Sequence, residues 1–303
     1  MRWLVALCVL SLLLSSTALA QDDELPPEEL VALFDYDQSL APAIQVHATE
    51  QRGEVTVQDI TYPSPVDGEP IAAYLVTPSG DGPFAGVLYV HWYEPESVLS
   101  NRSQFLDEAV MLAGEGVVSL LPETLWEETD WYTQGRSLDT DYAETVKQVI
   151  DLRRALDVLI AQPGVDAARI GYVGHDFGAM YGAILAGVDR RAVAYDLIAG
   201  TSDFNNWMLF GVAPDSPGID DYKAQMAPLA PTQYIPFATP AFVLFQFGGK
   251  DFYTPMDVID EFFAAASGPK LRRLYPDQDH AMDHRFVQED RLNFLREQLG
   301  LGG

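Results

Sequence analysis

The pentapeptide Gly174-His175-Asp176-Phe177-Gly178 contains the first residues whose types and spacing could do chemistry. It follows a short apolar run and precedes small, helix-compatible residues. The G-x-nucleophile-x-G spacing is typical of a sharp turn between a strand and a helix, where Gly174 and Gly178 leave room for a strained central residue. Asp176 stands where such turns usually carry a serine, so the predicted reacting group is a carboxylate.

An acid and a histidine follow Asp176 along the chain in the order nucleophile, acid, histidine. Asp251 lies in "GGKDFYTP" and His280 in "DQDHAMD". In such an arrangement the acid orients the imidazole and the imidazole moves protons. The sequence therefore predicts Asp176, Asp251 and His280 as the catalytic residues.

The chemistry of a carboxylate limits what Asp176 could attack. With an ordinary pKa of ~3.9 it is ionised at neutral pH and needs no base. Attack on an ester carbonyl would mostly reverse, because a carboxylate is a far better leaving group than an alkoxide. Displacement of a halide, or opening of an epoxide, would instead leave an alkyl ester on Asp176. The lost negative charge would then make His280 a better base toward water.

Two other interpretations of Asp176 stay open. It could assist a water molecule in the hydrolysis of an ester or lactone. It could also be inactive, in a protein that only binds its ligand. Among the other histidines, His175 is predicted to be a packed, hydrogen-bonded core residue, and His91 to lie beneath a loop.

Strands and helices alternate along the chain, which predicts a mostly parallel sheet of about eight strands with helices on both faces. The clearest helix is predicted from Asp139 to Gln162, where apolar residues recur every three or four positions. Residues 201–240 would form at most a small cap. Ligands bind beyond the carboxyl ends of such strands, where His91, Asp176 and Asp251 are expected to meet.

The chain from about residue 54 to 300 resembles an α/β-hydrolase of the dienelactone-hydrolase-like branch. The similarity is carried by "PIAAYLVTPSGDGPFAGVLYVH", "DLRRALDVLIAQPGVDAARIGYVGHDFGAMYG", "PAFVLFQFGGKDFYTP" and "YPDQDHAMD". The resemblance implies that Asp176 occupies the nucleophile position, Asp251 the acid and His280 the base. It also implies that the backbone N–H groups of Trp92 and Phe177 are the oxyanion donors.

This sequence departs from the family at two positions. The family's nucleophile is serine or cysteine, and Trp92 stands where glycine often follows the histidine. The turn "GHDFG" is instead similar to that of α/β-hydrolases acting on haloalkanes and epoxides. Haloalkane dehalogenases need N–H donors for halide, and epoxide hydrolases use paired tyrosines. The candidates for these roles are Trp92, Trp126, Trp131, Trp207, Tyr222 and Tyr234.

The remaining features of the sequence concern its division into segments, the location of the protein and its ligands. Residues 1–20 are predicted to be a cleaved signal peptide, residues 21–45 an acidic linker or N-terminal arm, and residues 46–303 the hydrolase domain. A secreted or periplasmic protein without stable membrane insertion is expected. The net charge of −27 opposes binding to nucleic acid. No metal-ligand spacing or phosphate-binding loop occurs, so a small-molecule substrate and no cofactor or metal are predicted. The oligomeric state stays open.

Overall fold

The computed structural model describes residues 26–302 of the chain. The predicted signal peptide and residues 21–25 of the predicted arm lie outside the described residues. One nine-stranded sheet runs in the order β1-β2-β3-β5-β4-β6-β7-β8-β9. Its strands are β1 (Gln45–Arg52), β2 (Val55–Pro63), β3 (Pro70–Thr77), β4 (Phe84–Val90), β5 (Val117–Pro122), β6 (Val165–His175), β7 (Ala194–Ile198), β8 (Phe242–Gly248) and β9 (Lys270–Tyr275).

The predicted mostly parallel sheet is confirmed. Strands β1, β2, β3 and β5 pair antiparallel, whereas all pairs from β5 to β9 in the sheet order are parallel. The sheet has nine strands, whereas about eight were predicted, and the additional strand is β1 at the edge of the sheet. Seven of its eight residues are exposed, so it lacks the apolar pattern by which a buried strand is recognised.

Helices cover both faces of the sheet, and each face has its own cluster of buried apolar residues. One cluster joins α3 and α4 to the sheet, and the other joins α2 and α8. No helix between residues 26 and 302 is both long and apolar enough to cross a membrane. The helices are α1 (Glu28–Ala32), α2 (Leu106–Ala113), α3 (Asp141–Ile160), α4 (Phe177–Val188), α5 (Asn205–Met208), α6 (Ile219–Met226), α7 (Met256–Ala265) and α8 (Arg285–Leu299).

The cap region between β7 and β8 consists of short pieces. Helices α5 and α6 are followed by three 3₁₀ turns, Ala227–Leu229, Pro231–Gln233 and Ile235–Phe237. These turns are short because prolines recur in this region and interrupt longer helices. A π-helical turn, Trp131–Gly135, lies on a second loop, between β5 and α3. Both loops are placed to line a site at the carboxyl ends of the strands.

The described part of the predicted N-terminal arm packs against α3. Phe34 is fully buried, and its carbonyl oxygen accepts a hydrogen bond from Arg153 at 2.6 Å. The Tyr36 hydroxyl donates to the Asp157 carboxylate at 2.9 Å. These contacts fix the arm to α3.

Candidate active site

Asp176 lies in the turn between β6 and α4 with a strained backbone. Its φ of 58° and ψ of −118° are unfavourable for a residue with a side chain. Its N–H donates to the carbonyl oxygen of Ile198 on the next strand at 2.8 Å, which holds the turn in place. The flanking glycines are required by sterics. A Cβ at Gly174 would overlap the carbonyl of Gly178, and a Cβ at Gly178 would lie 2.5 Å from the carbonyl oxygen of Val90.

The two oxygens of the Asp176 carboxylate have different surroundings. Oδ2 accepts a hydrogen bond from the Tyr93 N–H at 2.8 Å, and the Phe177 N–H also donates to the carboxylate. Oδ1 lies 3.4 Å from Nε2 of His280. The residue is 4% exposed and its carboxylate reaches the pocket described below. Oδ2 therefore lies at the Tyr93 amide, while Oδ1 faces the imidazole.

The expectation for Trp92 needs a correction. Its backbone N–H does not face Asp176 but donates to Oε1 of Gln104 at 2.8 Å. The amide that reaches the carboxylate belongs to Tyr93, one residue later. The Trp92 ring stacks on His175 with centroids 4.9 Å apart.

A buried polar chain supports this loop from behind. Nε2 of Gln104 donates to Nδ1 of His175 at 2.7 Å, and Nε2 of His175 donates to the carbonyl oxygen of His280 at 2.9 Å. Burial, and next the positive charge of His280, hold the pKa of His175 well below its usual value. His175 is therefore a neutral, packed residue. His91 is also neutral, because burial lowers its pKa to about 4.

His280 bridges the two aspartates. Its Nδ1 lies 2.8 Å from Oδ2 of Asp251, whose Oδ1 accepts from the N–H groups of Tyr253 and Thr254 at 2.8 and 3.2 Å. Burial alone would lower the pKa of His280, but hydrogen bonds and charge from Asp176 and Asp251 outweigh it and raise the pKa to about 10. Burial raises the pKa of Asp176, and His280 opposes that rise. The resting site is an imidazolium between two carboxylates.

This protonation has a measurable consequence for stability. Between about pH 6.5 and 10 the folded chain keeps a His280 proton that the unfolded chain has lost, so the free energy of unfolding should fall as pH rises. The expected slope is roughly 1.4 kcal/mol per pH unit. The stability advantage of wild type over His280→Gln, measured by chemical denaturation, should shrink by roughly 2 to 3 kcal/mol between about pH 7 and 9. An advantage independent of pH would contradict this protonation state.

A pocket of about 490 Å³ opens above Asp176 and His280. It is lined mainly by aromatic rings from five separate parts of the chain. An adjoining pocket of about 400 Å³, bordered by Trp92, is also lined by His280. The lining residues of the larger pocket besides Asp176 and His280 are Tyr93, Glu94, Pro95, Glu96, Tyr132, Thr133, Phe177, Trp207, Phe210 and Tyr253.

Five of the six tryptophans and tyrosines considered for substrate activation are engaged elsewhere, and the sixth, Trp131, is buried and does not line the larger pocket. Three indole N–H groups donate to backbone carbonyls, and the two cap tyrosines donate away from the pocket, which neither of them lines. None of these five groups is therefore free to bind a halide or an epoxide oxygen. The bonds join Trp92 to Leu99, Trp126 to His91, Trp207 to Tyr253, Tyr222 to Asp141 and Tyr234 to Pro228.

The residues that sequence reasoning missed are those that shape the site from loops. Tyr93 could have been found only from the path of the loop after β4. Gln104 carries no recognisable signal in the sequence. Tyr132 and Phe210 come from loops far apart in the chain, and the Tyr132 hydroxyl joins them by donating to the Phe210 carbonyl oxygen at 3.0 Å.

Solved structures that superpose on most of this chain allow the fold to be identified. Acetyl xylan esterase 1 from Thermoanaerobacterium sp. JW/SL YS485 superposes with a TM-score of 0.73 at 14% identity, over 90% of this chain and 95% of that chain. The chain has the α/β-hydrolase fold. An acetyl xylan esterase from Paenibacillus sp. R4 gives a TM-score of 0.72 at 20% identity, over 89% and 92%. A Klebsiella pneumoniae protein named as a dienelactone hydrolase gives a TM-score of 0.58 at 20% identity, over 82% of this chain and 99% of that chain.

No protein-family model matches the sequence, and no curated protein matches it. Identities of 14 to 20% establish the α/β-hydrolase fold alone. One fold hosts many reactions, so the reaction has to be argued from the site.

Proposed function

We propose that the protein is a hydrolase in which Asp176 forms a covalent alkyl ester with a small, largely apolar substrate. The observation that carries the proposal is the orientation of the carboxylate. Oδ2 accepts a hydrogen bond from Tyr93 N–H at 2.8 Å, at the position where hydrolases of this fold hold an oxyanion. Oδ1 remains as the attacking atom, in a pocket wide enough for a small organic molecule.

In the first step, Oδ1 of Asp176 attacks a saturated carbon. A carbon–oxygen bond to Asp176 forms and the bond to the leaving group breaks, with the electron pair going to the leaving group. An opened epoxide oxygen takes its proton from water in the pocket. The indole N–H groups of Trp92, Trp126 and Trp207 and the hydroxyls of Tyr222 and Tyr234 are all engaged, so these contacts favour neither an epoxide nor a haloalkane.

In the second step, His280 activates water. Alkylation removes the Asp176 charge that helps to raise the pKa of His280, so the imidazolium gives its proton to the hydroxide left by the water that protonated the epoxide oxygen, and the neutral imidazole becomes a base. Water gives a proton to Nε2 and attacks the Asp176 carboxyl carbon. The N–H groups of Tyr93 and Phe177 stabilise the oxyanion on Oδ2. Collapse expels the alcohol, which takes the proton from His280. The carboxylic acid left on Asp176 then gives its proton to His280, which restores the carboxylate and the imidazolium.

Hydrolysis of an ester or lactone, with Asp176 assisting water, is the second candidate. It is motivated by the esterases that share the fold. The hydrogen bonds of Asp176 oppose it, since the amides that would stabilise a substrate oxyanion already bind the carboxylate. A third possibility, a binding protein without turnover, predicts no product from any electrophile.

Trapping the ester tests the covalent route. We expect His280→Ala to react with an epoxide such as styrene oxide and stop at the alkyl ester. Mass spectrometry should then find the peptide containing Asp176 heavier by one epoxide. The matched control is Asp176→Asn combined with His280→Ala, which should form no adduct.

Oxygen labelling separates the covalent route from direct attack by water. In a single turnover of the wild-type protein in H₂¹⁸O, the label should enter the Asp176 carboxylate and not the product. Label found in the product, together with an absence of adduct in His280→Ala, would overturn the covalent route and favour the water-assisted alternative.

A further inference from the structure

Two acidic side chains line the pocket above Asp176. Glu94 and Glu96 come from the loop that follows β4, and both border the larger pocket and the adjoining one. Asp176 adds a carboxylate at the floor. Among the described residues 26–302, no lysine or arginine lines the larger pocket. The space that a substrate would enter is therefore bounded by negative charge.

The two glutamates are held in place without being neutralised. Within residues 26–302 neither carboxylate forms an ion pair with a basic side chain. The Glu94 N–H donates to the Ser100 hydroxyl at 2.8 Å, and Oε1 of Glu94 accepts from the Glu96 N–H at 3.2 Å. These local bonds order the loop and leave both carboxylates without a counter-cation.

The nearby basic groups are already paired. His280 lies between Asp176 and Asp251, which together carry more negative charge than the imidazolium balances. Lys250, in the adjoining pocket, lies 2.9 Å from the carboxylate of Asp277. In the part of the chain that the structure describes, a positive group on a bound molecule would therefore meet no unpaired cation in these two pockets.

Aromatic rings form the remaining wall and suit the same kind of ligand. Tyr93 and Tyr132 stack with centroids 6.3 Å apart, and Phe210 contacts Tyr253 edge to face at 5.9 Å. The face of an aromatic ring is negative and attracts organic cations, whose apolar substituents also pack well against the ring. Burial and next the charge of Glu94 raise the pKa of Tyr253, in agreement with a negative potential in this pocket.

We propose that the substrate is an organic cation: a small apolar molecule with a quaternary or protonated amine, bound between the aromatic wall and the Glu94 and Glu96 carboxylates. The electrophilic carbon of this substrate rests on the function proposed above, whereas the preference for positive charge rests on the pocket alone. The same charges would repel anionic lactones and other carboxylates. The site thus differs in charge preference from one that takes an anionic lactone.

Binding of three ligands of similar shape tests the charge preference without any turnover. The probes are 3-hydroxyphenyltrimethylammonium, its neutral isostere 3-tert-butylphenol, and the anion 3-hydroxybenzoate, each titrated into the wild-type protein by calorimetry. The cation should bind at least about tenfold more tightly than the neutral isostere, and the anion most weakly. The preference should diminish as salt is added.

Variants of Glu94 and Glu96 test whether these two carboxylates cause the preference for a cation. Glu94→Gln and Glu96→Gln should each weaken cation binding by roughly 3- to 10-fold and leave binding of the neutral isostere unchanged. The matched controls are Glu54→Gln and Glu69→Gln, which remove the same charge from exposed turns and should change neither. Equal affinity for the cation and its neutral isostere, or equal effects of the controls, would overturn the proposal.

A kinetic comparison separates this proposal from the covalent route. Glycidyltrimethylammonium and its neutral isostere 1,2-epoxy-4,4-dimethylpentane carry the same epoxide. If both alkylate Asp176 with equal kcat/KM, the covalent route stands and the cation preference is wrong. If cations bind selectively and no epoxide forms an adduct, the preference stands and the covalent route is wrong.

Discussion

Replacing Asp176 with asparagine should lower kcat by at least about 10⁴-fold, because the amide keeps the shape of the side chain but is a very poor nucleophile. The fold should survive, since the Asn carbonyl oxygen can still accept from Tyr93 N–H where Oδ2 now does. Steady-state kinetics on a reactive epoxide would measure the loss, and chemical denaturation would verify the fold.

The same variant has a readout that does not require a substrate. Removing the Asp176 charge should lower the pKa of His280 by roughly 1 to 3 pH units, measured by NMR titration of the imidazole. Asp277→Asn, at an exposed carboxylate paired with Lys250, is the control and should change neither kcat nor the His280 pKa. Turnover within tenfold of wild type in Asp176→Asn would exclude Asp176 as nucleophile.

Replacing Asp176 with serine tests whether the rest of the site can support ester hydrolysis. Serine would release the amides of Tyr93 and Phe177 from the carboxylate and leave them available to a substrate oxyanion. Appearance of p-nitrophenyl ester hydrolysis in Asp176→Ser, with little in wild type, would agree with the covalent alkyl route. Strong esterase activity in wild type would favour the water-assisted alternative.

Gly178→Ala should destabilise the protein by roughly 3 kcal/mol or more. Its Cβ would lie 2.5 Å from the carbonyl oxygen of Val90 and 3.1 Å from that of His91, and backbone cannot yield as a flexible side chain can. Relief of this overlap would push α4 away from β4 and displace Asp176 from the Tyr93 amide. Both the free energy of unfolding and kcat should therefore decrease.

The control for Gly178 is Gly114→Ala at the end of α2. Gly114 has an ordinary helical φ of −63°, and its added Cβ would lie 3.2 Å from the carbonyl oxygen of Met111. Its effect on unfolding should stay within about 1 kcal/mol. If Gly178→Ala is as well tolerated as this control, the close approach of the turn to β4 is not what holds the site together.

The sequence by itself determined the layered architecture and the three polar residues that meet at one edge of the sheet. Buried strands and helices are recognisable in the sequence because their apolar residues recur at regular spacing. The helix predicted over residues 139–162 is an example, and the structure has it over Asp141–Ile160. The turn around Asp176 is likewise encoded locally, because Gly174 and Gly178 are needed within four residues of each other. Strand β1 was missed because an exposed edge strand carries no such period.

Only the tertiary structure decided which amide reaches the carboxylate and what surrounds it. Trp92 and Tyr93 are adjacent, and the choice between their amides depends on Gln104, which binds the Trp92 N–H from another segment. The pocket wall likewise combines loops that are distant in sequence, and the charge around Glu94 depends on which basic groups Asp176, Asp251 and Asp277 already bind. These hydrogen bonds and ion pairs join residues that are distant in sequence, so no regular spacing or motif in the sequence predicts them.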